Sequence, residues 1–397
     1  MSLQIYILNA SNTYNYGSMM LCENLITWLD RASNCRNDYT VETDDAEGTL
    51  GRLCAATGRT DLSAAPMGGL FHGGPPTRFE MLCGLFTSKK MLSRIGDKVD
   101  AVVVLGGDDF TEDHGWRALL SQLLRLNIAL REKPVVFLGQ SMGPFFSFRR
   151  RVVPSILKKA SMIYARDRRS LDMLRALGLK NTDYIPDLAL MPLSGERGDA
   201  EPDGRALLFP SELIRSFIPD GDRDALVGFY ADVIEVLRSR YSGGVHVLPH
   251  VLKPEGANDA KMVTSLAERF DGSEGLTFST EPMLPAEVRG LIRSSSLVVT
   301  ARMHPAVSAL ECGVPPIAFS YSEKYHGVLG EGYGLNDFIL DVRKHSYPAL
   351  LESFDKALDT LEERRVTLTT HITDKNTHDR ALILEKLGEM FTCLRTR

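Results

Sequence analysis

Apolar positions in this chain fall into short, nearly unbroken runs of aliphatic and β-branched residues, separated by longer stretches with helical spacing. The runs at 3–8, 99–105, 134–138 and 162–165 predict buried strands, because a strand covered on both faces loses the alternation of a half-exposed one. Between them, apolar residues three and four apart predict helices over 18–29, 116–130, 151–159 and 170–177. Residues 192–204 (PLSGERGDAEPDG) break the pattern with proline, glycine and charge, and predict a linker. The alternation then restarts, with strands at 206–209, 245–248, 276–279 and 296–300 and helices over 224–240, 257–269 and 285–292. From 347 onward the chain reads as amphipathic helix with no further strand. Strand–helix alternation predicts a parallel sheet with helices on both faces. The expected fold class is therefore α/β, with two Rossmann-like domains facing each other across a cleft. The N-terminal domain covers 1–192 and the C-terminal one 205–397, the terminal helices bridging back to the first. Segment 55–76, rich in glycine, proline and alanine and poorly periodic, reads either as a loop over the cleft or as a surface excursion.

Composition narrows the class. At 397 residues the chain exceeds one ordinary core, and 44% hydrophobic with 24% charged residues is the profile of a soluble globular protein. A net charge of -5 excludes a general nucleic-acid binder, so any anion site is a local basic pocket. No apolar run approaches the roughly 20 residues of a membrane span, and no signal peptide precedes the first strand, so a cytoplasmic location is expected. Six cysteines (22, 35, 54, 83, 312 and 393) are scattered without a CxxC pair, which fits reduced thiols better than a disulfide or zinc framework.

The stretch 301–321, ARMHPAVSALECGVPPIAFSY, carries the most chemistry. It reads as the end of a strand, a tight turn, a helix, a second turn and a strand. Pro305 suits the first helical position, and Gly313 followed by Pro315 and Pro316 is a helix stop. Arg302 and His304 then stand at a strand's carboxyl end beside a helix N-terminus, where open α/β sheets bind anions. The alternative is that His304 only caps the helix and Arg302 is a surface charge.

Other loops offer partners for such a site. Gly106, Gly107, Asp108 and Asp109 end a buried strand, where carboxylates can orient sugar hydroxyls; Glu112, Asp113 and His114 follow, the two acids reading as a solvated loop. Hard-cation sites need several converging oxygens, so this run is not by itself a metal motif, and no metal is expected. Gln140 and Ser141 end the next strand, as sugar or phosphate contacts or as ordinary turn residues. Tyr14, Asn15, Tyr16 and Gly17 follow the first strand; the rings either stack on a sugar or, for Tyr16, staple the helix start. Arg166 and Asp167 close another strand, followed by Arg168 and Arg169, which read as solvent-facing. Asp187 either orients Arg166 or caps a turn. His250 and Tyr321 are further candidates at strand ends, and Lys324 is either a phosphate contact or a solvated lysine.

Taken together, NYGSMML near the start, VVVLGGDDF (102–110), FLGQSMGPF (137–145), YARDRRSL (164–171), IPDLAL (185–190), LPHV (248–251) and the Arg302–His304 segment with Tyr321 and Lys324 give a chain that resembles the polysaccharide pyruvyl transferase family, over most of its length to about residue 340. The resemblance implies a GT-B-like two-domain fold. It also implies transfer of the enolpyruvyl unit of phosphoenolpyruvate to a sugar, closed into a ketal on two hydroxyls. It assigns His304 as general acid, Arg302 and Met303 as phosphoenolpyruvate contacts and Arg166 as a second anion contact. The donor is then phosphoenolpyruvate, no separate cofactor is expected, and the acceptor is a nucleotide-, lipid- or polymer-linked sugar. The first-strand loop SNTYNYGSM departs from the family by being longer and more aromatic than a glycine-rich version.

The chemistry fits these residue types. Protonating the methylene carbon of phosphoenolpyruvate needs an acid charged near neutral pH, which suits histidine. Holding a carboxylate and a phosphate suits arginine's planar fork and a helix N-terminus. Two rival readings share the fold. A nucleotide-sugar glycosyltransferase would also set a helix N-terminus against a diphosphate, with Glu311 as the residue to grip the ribose. A sugar- or phosphate-binding protein without turnover would need no acid-competent histidine.

Overall fold

The computed structural model describes residues 2–10, 12–43, 45–66, 99–112, 116–195, 202–219, 221–252 and 258–396. The chain forms two compact units. The first comprises Met1–Thr13, Ser18–Leu188 and Arg380–Arg397, the second Tyr14–Gly17 and Ala189–Asp379.

The first unit is built on a seven-stranded parallel sheet of β1 (Gln4–Leu8), β2 (Asp38–Thr43), β3 (Ser63–Pro66), β4 (Ala101–Leu105), β5 (Val135–Gln140), β6 (Met162–Ala165) and β7 (Thr182–Tyr184). Their order is β3-β2-β1-β4-β5-β6-β7. Strands β1, β4 and β5 are apolar and almost wholly buried, as expected where helices cover both faces. The helices are α1 (Tyr16–Ser33), α2 (Ala46–Thr57), α3 (Trp116–Glu132), α4 (Arg149–Leu157) and α5 (Arg168–Ala176).

The second unit repeats the plan with six parallel strands: β8 (Ala206–Phe209), β9 (Val245–Val247), β10 (Leu276–Phe278), β11 (Leu297–Thr300), β12 (Pro316–Ser320) and β13 (Ile339–Asp341). Their order is β10-β9-β8-β11-β12-β13. Its helices are α6 (Arg223–Arg240), α7 (Ala260–Arg269), α8 (Pro285–Arg293), α9 (Met303–Glu311) and the 49-residue α10 (Tyr347–Arg395) as far as Asp379, the rest of α10 belonging to the first unit. Each sheet thus reverses its strand order once, beside β1 and β4 in the first unit and beside β8 and β11 in the second. Such switch points are where open α/β sheets leave a crevice at the strands' carboxyl ends.

Several elements differ from the sequence expectation. Strands β2, β3, β7 and β13 were not expected. Part of 55–76 is regular: α2 ends at Gly58, whose φ of 68° is a left-handed cap, and β3 follows. Residues 67–76 of that segment lie outside the described residues. Helix α9 starts two residues before Pro305, which occupies its third position; the first-turn amides lack intrahelical acceptors in any case, so proline is accommodated there too. His304 therefore lies inside the helix rather than ahead of it. Among the described residues no helix is long and apolar enough to cross a membrane, and the described cysteines are free thiols.

Candidate functional site

In the second unit the switch point is occupied by the Arg302 corner. β11 ends at Thr300, whose hydroxyl accepts from the Arg302 amide at 2.9 Å and donates to the Arg302 carbonyl at 2.8 Å. This fixes the turn, and Arg302 caps α9 in an extended conformation (φ -121°, ψ 145°) without a side-chain capping bond. Its guanidinium instead grips Asp259, Nε to Oδ2 at 3.1 Å and Nη2 to Oδ1 at 2.8 Å. Asp259 is buried and also accepts from the Val251 amide at 3.1 Å. Burial works against the Arg302 charge, but Asp259, with Tyr321 and Tyr325, outweighs it and holds the group above its ordinary pKa. Those two bonds use two of the guanidinium's five N–H donors, so a charged fork remains part of the corner. Removing Asp259 alone leaves an uncompensated buried charge, at a cost of about 3–5 kcal/mol.

His304, one residue into α9, stacks on His250 with ring centroids 6.3 Å apart and planes 16° from parallel. Gly17 also lies against it: an added Cβ there would lie 2.2 Å from His304 Nδ1 and 2.5 Å from its Cγ. Only a glycine lets the backbone approach the imidazole this closely. Residues 14–16 reach this position as a short antiparallel ribbon: Leu252 donates to the Tyr14 carbonyl at 2.9 Å, Asn15 pairs with Val251, and Tyr16 donates to the His250 carbonyl at 3.3 Å. The Asn15 side chain then accepts from the Gly17 amide at 3.2 Å.

His250 is 2% exposed, and neither ring nitrogen has a hydrogen-bond partner among the described residues. Tyr16 and Phe209 meet it edge-on at 5.5 and 6.2 Å. Burial first, then His304 and Arg302, push it well below its ordinary pKa, so it is neutral at neutral pH. The fixed positive charge at this corner is that of Arg302. At the end of the neighbouring β12, the buried Ser322 hydroxyl also lacks a partner among the described residues. Buried polar atoms without protein partners are rare and mark places where a ligand or water completes the bonding.

Tyr321 and Lys324 lie beyond the same strand. Lys324 Nζ donates to the Tyr321 hydroxyl at 3.2 Å and sits 5.0 Å from its ring centre, while Tyr321 stacks on Phe217 at 5.0 Å. Met303 is buried at the helix start. Tyr16 is buried too, its hydroxyl accepting from the Met283 amide at 2.9 Å; it has the packing role rather than that of an exposed sugar platform.

The first unit has a second cluster at the carboxyl ends of β4, β5 and β6. An added Cβ on Gly106 would meet the Gly139 carbonyl oxygen at 2.1 Å, and the Gly107 carbonyl accepts from Ser141 N at 3.0 Å. Arg166 donates to Ser141 Oγ at 2.9 Å and, through Nη1, to Asp187 at 2.9 Å. Ser141 donates in turn to Asp167, which also caps α5 through the Ser170 amide at 2.8 Å. Arg166, Asp187, Ser141 and Asp167 are all buried, so Asp187 takes the orienting role. Gln140 is buried and spends its amide nitrogen on the β4 carbonyls of Val104 and Leu105, while its Oε1 has no partner among the described residues. Asp108 and Asp109 are partly exposed beside it. Glu112 is not a solvated acid: Arg149 binds it through Nε at 2.7 Å. Arg168 lies over the Tyr184 ring at 4.2 Å. Asp113 and His114 lie outside the described residues. Among the described residues no group of three His, Cys, Asp or Glu side chains is arranged to hold a metal ion.

Glu311, the candidate ribose grip of the glycosyltransferase reading, is buried at the far end of α9. Arg293 reaches it at 3.1 Å and Arg289 at 3.7 Å, so its charge is consumed inside the unit. Sequence reasoning missed Asp259, Ser322 and the contact role of Gly17. An Asn-Asp pair opening a helix reads as a cap, and nothing local shows that this carboxylate meets an arginine 43 positions later.

Comparison with known proteins adds a family. A family model described as polysaccharide pyruvyl transferase matches residues 15–323. The chain is similar to the amylovoran biosynthesis protein AmsJ of Erwinia amylovora, 21% identical over 291 residues that cover 68% of this chain and 69% of that protein. Among solved structures it is similar to a UDP co-structure of S. aureus MnaA (TM-score 0.60, 10% identity, 94% of this chain and 91% of that one). It is also similar to the UDP-GlcNAc 2-epimerase of Neisseria meningitidis bound to UDP-GlcNAc (0.60, 9%, 98% and 99%). A third is the glycotransferase of kitacinnamycin (0.55, 12%, 99% and 99%). At these identities the structural likeness establishes the fold alone, a GT-B-like pair of α/β domains. With the family model spanning most of its length, the chain belongs to the polysaccharide pyruvyl transferase family.

Proposed function

We propose that this protein moves the enolpyruvyl unit of phosphoenolpyruvate onto a sugar of a surface polysaccharide or its precursor in the cytoplasm, forming a pyruvate ketal and releasing phosphate. The observation that carries this reading is the pairing of His304 with Arg302 at the switch-point end of β11, beside the buried, unpartnered His250 nitrogens. Arg302 and the first-turn amides of Met303 and His304 bind the donor's negative charge. Lys324 supplies a point charge for the leaving phosphate, and Arg166, held by Asp187, is the anion contact proposed for the first unit.

His304 gives a proton to the methylene carbon, which becomes the methyl group. Positive charge builds at the adjacent carbon, and one sugar hydroxyl bonds there and sheds its proton. Phosphate departs as its bond to that carbon breaks, and the second hydroxyl closes the ring with loss of its own proton. One of the two released protons restores His304; the other leaves with phosphate. A helix N-terminus and a nearby arginine disfavour a charged imidazole, and the bound dianion restores it, so His304 is competent once the donor is in place. Neutral His250 helps by adding no further positive charge. Asn15, Gly107, Asp108, Asp109 and Ser141 are the proposed acceptor contacts.

Incubation with phosphoenolpyruvate and a panel of galactosyl and mannosyl acceptors tests the reading. It predicts acceptor-dependent phosphate release and a product heavier by one pyruvate less water. Phosphate release from no acceptor, together with turnover of a nucleotide sugar, contradicts it.

A further inference from the structure

Among the described residues large exposed apolar side chains are few, and the aromatic ones are concentrated. Among the described residues only Trp116, Phe146, Phe148 and Val366 are exposed, and the three aromatic ones, at 42, 54 and 53% exposure, belong to one surface of the first unit. Trp116 and Phe148 meet edge-to-face at 6.4 Å.

This patch is built rather than frayed. The Glu112 carboxylate accepts from the Phe146 amide at 2.7 Å and holds Arg149, whose guanidinium lies 5.7 Å from the Trp116 ring and 5.4 Å from the Phe148 ring. Ser147 between the two phenylalanines adopts φ 51°, a left-handed conformation that non-glycine residues rarely take. Backbone strain and a buried-side carboxylate are thus both used to present aromatic rings to water, which is unfavourable unless something covers them.

The surrounding charge says what. Arg117, Arg150 and Arg151 are exposed and form no ion pair among the described residues, in a chain whose net charge is -5. Tryptophan and phenylalanine with exposed arginines next to them in the chain match the headgroup region of an anionic bilayer, where rings enter the interface and guanidinium groups meet phosphates. We propose that Trp116, Phe146 and Phe148 with Arg117, Arg150 and Arg151 form a peripheral docking surface for anionic membranes. This inference is independent of the donor chemistry proposed above.

Vesicle co-flotation of the full chain decides it, comparing phosphatidylcholine alone with phosphatidylcholine–phosphatidylglycerol mixtures. Flotation is expected only with the anionic vesicles and should fall with added salt. Arg150→Gln should weaken binding about fivefold, the effect of one interfacial charge. Trp116→Ala/Phe146→Ala/Phe148→Ala should weaken it more than tenfold while leaving the thermal melting curve in place, since these side chains are already exposed. Absence of flotation, equal flotation with uncharged vesicles, or full flotation of the triple variant overturns the proposal. Patch-dependent dimerisation or patch-dependent retention of single-stranded RNA, in place of vesicle binding, would assign the surface to those partners instead.

Discussion

At Gly17 the fit between backbone and imidazole is tighter than any side chain permits. Gly17→Ala places a carbon 2.2 Å from His304 Nδ1, and the ring must rotate away from its stack on His250. A displacement of about 1 Å at a proton donor costs on the order of a hundredfold in rate. Gly17→Ala should therefore lower turnover about a hundredfold without unfolding the chain; undiminished turnover would show that His304 orientation is irrelevant. His250 makes a different prediction. Its pKa lies below the value of about 6.5 it takes when unfolded, so on the acid side of that value the unfolded chain binds the extra proton. Its contribution to stability is complete above about pH 6.5 and is lost as pH falls. His250→Asn should flatten the acid limb of stability, measured by urea unfolding, by up to about 1.4 kcal/mol per pH unit. An unchanged slope would mean that the ring is solvated in the folded state. His246, lowered by burial and then by Arg205, remains in the variant and keeps part of the limb.

Among the elements, the strands that were legible in the sequence are those buried on both faces. β4 reads AVVVL and β11 LVVT, and no helical period competes with such runs. β2 reads DYTVET: Tyr39 and Val41 are buried, but so are the polar Glu42 and Thr43, and two apolar residues among polar ones are too few to mark a strand. β7 and β13 have three residues each, too few to show a period. The Arg302 corner was legible because strand end, turn and helix start are contiguous in sequence. Its pairing with Asp259, His250 and Gly17 was not, although His250 stood among the candidates, because only the fold brings them to it. The ends of β4 and β5 give a test at this scale. The Gly106 Cα lies so close to the Gly139 carbonyl that Gly106→Ala must spread the two strands. A loss of about 1–3 kcal/mol in unfolding free energy is expected, typical of overpacking, and a neutral effect would deny that this contact is rigid.

At the scale of the molecule, each sheet has one reversal of strand order, and each unit carries a candidate polar cluster at strand carboxyl ends, at the reversal itself in the second unit and along β4, β5 and β6 in the first. This follows from strand–helix alternation and requires no knowledge of the ligand. Net charge bears on the same point: in a chain at -5, an anion site must rest on local cations, and each unit holds an arginine fixed by a buried aspartate, Arg166 by Asp187 and Arg302 by Asp259. In loop 12–17 the aromatic content serves packing at Tyr16. The central claim is that His304 is the proton donor to a phosphoenolpyruvate held by Arg302. Its most direct measurement compares His304→Gln with the wild-type chain in two readouts, phosphoenolpyruvate affinity by calorimetry and acceptor-dependent phosphate release. The account predicts affinity within about threefold of wild type and turnover lowered by at least about a hundredfold. Turnover that survives the substitution, with the donor still bound, would contradict it.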